Sequence, residues 1–164
     1  MAALPASCWY FAYASNLCHA IFCERRRMRP LQSQRARLDG WRLTFALPIG
    51  PGERGVASVE PTFGSSVWGA AYLLSPEDCE RLDRSEGVHF GIYRRIAVDV
   101  TTDDGAVLGA YTYRSPWATP GRKPSPRYLG LILAGAREHA LPAEWVGFLD
   151  GLERARDERE PQDA

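Results

Sequence analysis

Hydrophobic and polar positions change period several times along the chain, and each change marks an element. Tyr10-Phe11-Ala12-Tyr13 is an aromatic run suited to a half-buried strand, and it gives way abruptly to the small and polar Ala14-Ser15-Asn16. Cys18 to Met28 reads as a short helix stopped ahead of Pro30, because residues preceding a proline avoid the helical region. Trp41, Leu43, Phe45 and Leu47 alternate with Arg42, Thr44 and Ala46, the mark of a strand with one buried face. Pro48 to Gly55 holds two prolines and three glycines and predicts a loop. Val56 to Glu60 and Val67 to Leu74 predict two further strands. Ile92, Arg94, Ile96, Val98 and Val100 then keep an alternating pattern up to Asp104-Gly105, a hairpin turn ahead of Val107 to Tyr113.

Three helices accompany these strands. Ser75-Pro76-Glu77-Asp78 supplies an N-cap, a proline at the first helical position and acids in the first turn, and the helix runs to Ser85 with Gly87 as its stop. Ser125-Pro126 repeats the start signal for a helix carrying Tyr128, Leu131, Ile132 and Gly135 and ending before Pro142. Trp145, Phe148, Leu149 and Leu152 form the apolar stripe of a third. The fold class that follows is α+β: a small mixed or antiparallel β-barrel flanked by helices. One domain spans residues 1–152, and Glu153 to Ala164 is too polar to bury and reads as a frayed tail.

Composition narrows the function classes. Of 164 residues, 45% are apolar and 24% charged, the balance of an ordinary globular protein large enough for one core. Lys+Arg and Asp+Glu stand at 20 each, which removes bulk attraction to nucleic acid or to an anionic membrane. The arginines at 25, 26, 27 and 29 accordingly read as a solvated face. No apolar run reaches membrane-span length, and Met1 to Ser7 lacks the basic start of a signal peptide. Cys8, Cys18, Cys23 and Cys79 show no C-x-x-C spacing, so free thiols, a cytoplasmic setting and no metal site are expected.

Two places carry candidate chemistry. A strand that stops at Ala14-Ser15-Asn16 leaves successive backbone N–H groups free to form a concave nest for an anion. Glu86 sits at the end of the Ser75 helix, where the helix dipole disfavours an ionised carboxylate. Asp83 one turn back adds like-charge repulsion, and Val88 and Phe90 are placed to exclude water. All three influences raise the pKa toward that of a general base working near neutral pH.

Tyr10 to Leu17 resembles the Tyr-Gly-Ser-Asn-Leu signature of the γ-glutamylcyclotransferases. Leu82-Asp83-Arg84-Ser85-Glu86-Gly87-Val88 with Gly91-Ile92-Tyr93 is similar to that family's second block. Pro124-Ser125-Pro126-Arg127-Tyr128-Leu129, followed by Gly135-Ala136-Arg137-Glu138 and Leu141-Pro142, is similar to its third. The blocks keep the family's order from Tyr10 to about Leu152. The resemblance implies a helix-flanked barrel and a cofactor-free reaction. In it the α-amine of a small γ-glutamyl compound attacks its own γ-carbonyl, releasing 5-oxoproline and an amine. It further implies Glu86 as the catalytic acid and base. The turn Tyr13, Ala14 and Ser15 would bind substrate oxygens, supported by Tyr10 and Asn16. Tyr128 would face the substrate, and Tyr93 and Tyr111 would close hydrogen bonds around the glutamate. Removal of a γ-glutamyl group from a biosynthetic intermediate is the same chemistry with a larger leaving group. A binding module for a small carboxylate is the competing class, motivated by Ala14 standing where the family has glycine. Family members include dimers, which leaves a homodimer open.

Overall fold

Five strands and three regular helices make up residues 6–156, the part of the chain described by the computed structural model. β1 (Cys8–Ala12) is followed by a long hairpin of β2 (Gln32–Pro48) and β3 (Gly55–Leu74), and a second hairpin joins β4 (Arg94–Thr102) to β5 (Val107–Arg114). The strands close into a barrel in the order β1-β3-β2-β4-β5. Neighbours are antiparallel except β1 and β5, which meet in parallel at Tyr10 and Tyr111. The barrel is therefore mixed, and closure covers the strand edges that would otherwise be open to pairing.

The two strands predicted at Val56–Glu60 and Val67–Leu74 are halves of one. Pairing passes from Trp41↔Pro61 to Asp39↔Ser66, a step of two residues on β2 against five on β3. The surplus residues bulge away from the barrel and leave Phe63 fully exposed. Pro61 and Gly64 inside the run hide this continuity from a reading of periodicity. Gly105 turns the second hairpin with φ 82°, as Asp104-Gly105 predicts.

α1 (Pro76–Ser85), α2 (Pro126–Glu138) and α3 (Ala143–Asp150) cover the barrel. Ser75 Oγ accepts the Asp78 N–H at 3.2 Å and Ser125 Oγ accepts the Tyr128 N–H at 3.1 Å, so both start signals act as caps. α1 buries Cys79 and Leu82, and α2 buries Leu129, Ile132 and Ala136 against a core that includes Phe11, Leu17 and Phe22. On α3, Trp145 and Leu149 are buried while Phe148 stays 48% exposed, so the apolar stripe is narrower than predicted.

The segment 18–28 is not a regular helix. A 3₁₀ turn (Ser15–Leu17) leads into a six-residue π-helical turn (Ala20–Arg25), closed by the Arg26 N–H on Ile21 O at 2.9 Å, and Arg27 follows in the left-handed region with φ 58°. At the other end of the chain, Ala155 is buried and its N–H donates to Pro124 O at 2.9 Å, while Glu153 pairs with Lys123. The start of the expected tail is thus docked. Its remainder, and most of the N-terminal stretch read against a signal peptide, lie outside the described residues. Among the described residues no helix is long and apolar enough to cross a membrane.

Candidate active site

The turn after β1 is clamped from behind. Ser15–Leu17 forms its 3₁₀ turn with Leu17 N–H on Ala14 O at 3.0 Å. The N–H groups of Ser15 and Asn16 open that turn, where no earlier carbonyl of the same turn reaches them. α2 packs directly on its back: a Cβ at Gly135 would stand 2.5 Å from the Leu17 carbonyl carbon, so only glycine permits this approach. Tyr72 Oη donates to Asn16 O at 3.1 Å, and His139 Nε2 lies 2.8 Å from Tyr72 Oη and 3.1 Å from Leu17 O. Tyr72 and His139 are absent from the sequence reading, since neither belongs to a local motif.

Glu86 faces this turn from the C-terminal cap of α1. Asn16 Nδ2 donates to Glu86 Oε1 at 2.8 Å and to Tyr10 Oη at 3.0 Å, tying the turn to the helix end. Arg26 Nη1 stands 3.6 Å from Glu86 Oε1 and also bonds Ser85 Oγ. Burial lifts the Glu86 carboxyl above its ordinary value, while the Arg26 guanidinium and the Asn16 hydrogen bond pull it part of the way back. The direction is the expected one, and burial, one of the three expected causes, is the largest. Asp83 is engaged by Arg95 at 2.7 Å and by Tyr113 Oη at 2.5 Å, and Phe90 is 85% exposed, so neither acts as predicted. Val88, the other residue expected to exclude water, is partly buried against the core. Asn16 Oδ1 is buried with no hydrogen-bond partner among the described residues.

These groups border one cavity of about 730 Å³. Tyr10, Tyr13, Ala14, Ser15 and Asn16 line it together with Glu86, Tyr93 and Tyr128. Ala14 has φ −132°, outside the left-handed region that favours glycine, and it borders the cavity. Tyr93 Oη donates to Ala57 O at 2.5 Å and Tyr128 Oη accepts the Ala57 N–H at 3.1 Å. Both hydroxyls therefore hold a β3 peptide, and neither bonds Glu86 as expected for Tyr93.

Tyr111 is the one expected site residue that lies elsewhere. It lines a separate cleft with Cys8 and Trp9, under the Arg95 guanidinium at 4.3 Å from its ring centre. Parallel pairing sets Tyr111 level with Tyr10, whereas the exit of β1 is level with Tyr113: Tyr13 Oη donates to Tyr113 O at 2.6 Å. Tyr113 lines the main cavity in its place. Arg26 is another lining residue not anticipated. Of the four clustered arginines, 25, 27 and 29 are exposed as expected, and only Arg26 turns inward. Nothing in the run distinguishes it. The wide π turn sets its direction, with Ile21 and Phe22 buried beneath.

Comparison with known proteins agrees with this geometry. Residues 66–149 match the AIG2-like family. A γ-glutamylcyclotransferase of Bos taurus is 32% identical over 151 residues, spanning 88% of this chain and 78% of the bovine protein. An uncharacterized protein of Homo sapiens has the same fold with a TM-score of 0.82 at 30% identity, over 94% of this chain and 92% of that one. The solved structure of a γ-glutamyl cyclotransferase follows with a TM-score of 0.79 at 28% identity, over 96% of this chain and 92% of that one. By sequence and by architecture, the chain belongs to the γ-glutamylcyclotransferase family.

Proposed function

We infer that this protein cyclises small γ-glutamyl amino acids, peptides or amines, with Glu86 moving the protons. The α-nitrogen of the substrate bonds to the carbon of its own γ-carbonyl, the bond from that carbon to the departing nitrogen breaks, and 5-oxoproline and a free amine result. This is carbon–nitrogen cleavage of the lyase type. Neither metal nor organic cofactor enters, because nucleophile and electrophile arrive in one molecule and holding it curled supplies much of the rate.

The α-amine enters as an ammonium and must lose a proton before it attacks. Glu86, lifted by burial, takes that proton and returns one to the departing nitrogen. The Glu86–Arg26 pair complements a zwitterion: the ammonium faces Glu86, and the α-carboxylate faces Arg26. Backbone N–H groups of the Tyr13–Asn16 turn receive the oxygen that becomes negative as the ring closes. Tyr10 braces Asn16, and Tyr128 borders the substrate while holding Ala57. The balance of 20 basic and 20 acidic residues supports an enzyme without nucleic-acid or membrane partners, and its four free cysteines support a cytoplasmic setting.

The observation that carries this reading is the 2.8 Å bond between Asn16 and Glu86, which joins the oxyanion turn to the acid/base across one cavity. The experiment is 5-oxoproline release from a panel of γ-glutamyl donors by the parent and by Glu86→Gln. Release by the parent and its loss in the variant support the mechanism. Saturable binding without release would establish the binding module instead.

A further inference from the structure

We propose that the donor this enzyme turns over carries a bulky apolar leaving group, held at the cavity mouth by Ile49, Phe90, Ile92 and Trp117. The inference rests on the cyclotransferase reading and names the substrate class for that site. These side chains are 43%, 85%, 43% and 62% exposed, and all four line the cavity that holds Glu86. Eight large apolar side chains are exposed among the described residues, so half of them stand around this one opening. Scattered exposed apolar groups are ordinary, whereas a concentration at one concave mouth marks a surface meant to be covered.

The rim is held in place by hydrogen bonds of its own. The Ile49 N–H donates to Arg54 O at 3.1 Å and the Trp117 N–H to Ser115 Oγ at 3.1 Å. Phe90 and Ile92 both donate to Gly87 O, at 3.0 and 3.2 Å. Gly87 and Gly91 flank this turn with φ 68° and 69°, and a Cβ at Gly87 would stand 2.8 Å from Ile92 Cδ1. The turn that presents Phe90 and Ile92 thus begins at the residue after Glu86. Proton carrier and apolar rim are parts of one short segment.

Substrate chemistry orients the donor. The polar end at Glu86, Asn16 and Arg26 takes the charged glutamyl head, so the remaining substituent on the departing nitrogen must run toward the mouth. A cavity of about 730 Å³ falls in the ~300–1,000 Å³ range that encloses a drug-sized molecule, well beyond a glutamyl group alone. Arg84 also lines the cavity, a cation that a carboxylate on the leaving group could pair with.

The test is kcat/KM for γ-glutamylalanine, γ-glutamylleucine, γ-glutamylphenylalanine and γ-glutamylphenethylamide, with calorimetric binding of the same compounds to Glu86→Gln. A rise of at least ~10-fold from the alanine to the phenylalanine donor is expected. That ratio should fall toward one in Trp117→Ala and in Phe90→Ser. Equal use of phenylalanine and phenethylamide donors supports apolar contact alone, and preference for phenylalanine supports it with an added carboxylate contact at Arg84. A flat series, or an unchanged ratio in both rim variants, overturns the proposal. If the parent releases no 5-oxoproline, the reading of the chemistry fails, and the calorimetry still decides the rim: tighter binding of the phenylalanine compound sustains it and equal binding overturns it.

Discussion

The two ends of the cavity are built on different principles. At the deep end, hydrogen bonds dominate, and a single side chain, Asn16, spans 70 positions of sequence to reach Glu86. At the mouth, apolar side chains from three separate segments stand in water with only their backbones fixed. The first arrangement suits a reaction in which charge must be placed to within a fraction of an ångström. The second suits recognition by area, which tolerates variation in the guest. One cavity can therefore keep its chemistry constant while its choice of donor is set some way off.

The sharpest way to break the deep end is Glu86→Gln. The shape and one hydrogen-bond acceptor remain, but no base does, so kcat/KM should fall by at least ~100-fold. Stability should move the other way. Between 4.5 and its raised native value, Glu86 binds a proton in the folded protein that the unfolded chain has released, so its ionisation destabilises the fold as pH rises through that window. Glu86→Gln removes that penalty. Its melting temperature should exceed the parent's at pH 7, with the gap closing as the pH falls to about 4.5. A variant less stable than the parent at pH 7 would contradict the burial argument.

Arg26→Met tests the same end with a smaller effect. Loss of a charge-assisted contact to the substrate carboxylate should cost about 10–100-fold in kcat/KM, mostly through KM. Arg26 holds the Glu86 pKa down, so its removal should shift the acid limb of the kcat/KM profile to higher pH. A limb that does not move would show that Arg26 serves Ser85 and not the carboxylate.

How far each end could be read from sequence follows from how it is assembled. The caps at Ser75 and Ser125 act over three residues, and the turn at Ala14 to Asn16 over a similar span, so local chemistry exposes them. The placement of Glu86 was legible because a carboxylate at a helix end is locally unfavourable. Of the two residues expected to bury it, Val88 packs against the core, whereas Phe90 turns outward between two left-handed glycines. Arg26 is indistinguishable from its neighbours until the π turn is formed. The mouth gathers Ile49, Phe90, Ile92 and Trp117 only after the barrel closes. Periodicity sees one strand at a time and so cannot report a surface shared among loops.

Ala14 allows a finer probe of the deep end. Its φ of −132° lies outside the left-handed region that favours glycine, so Ala14→Gly should lose ~0.5–1 kcal/mol of stability through the freer unfolded chain. Chemical denaturation measures this directly. A stabilised glycine variant would mean that the turn is strained after all. A change in KM at unchanged kcat would assign the alanine methyl group to substrate fit.

The smallest effect belongs to Tyr111→Phe, and it separates two registers on one strand. Tyr111 and Tyr113 lie on the same face of β5, two residues apart, yet only Tyr113 reaches the cavity. If the site ends where the parallel pairing of β1 and β5 places it, loss of the Tyr111 hydroxyl should leave kcat/KM within about twofold, ~0.4 kcal/mol in barrier height. Tyr113→Phe should cost more, because its hydroxyl bonds Asp83 one helical turn before Glu86 and fixes the end of α1. The order of these two losses, measured on one donor, decides which tyrosine marks the floor of the site. A larger loss at Tyr111 would move that floor one residue pair back along the barrel.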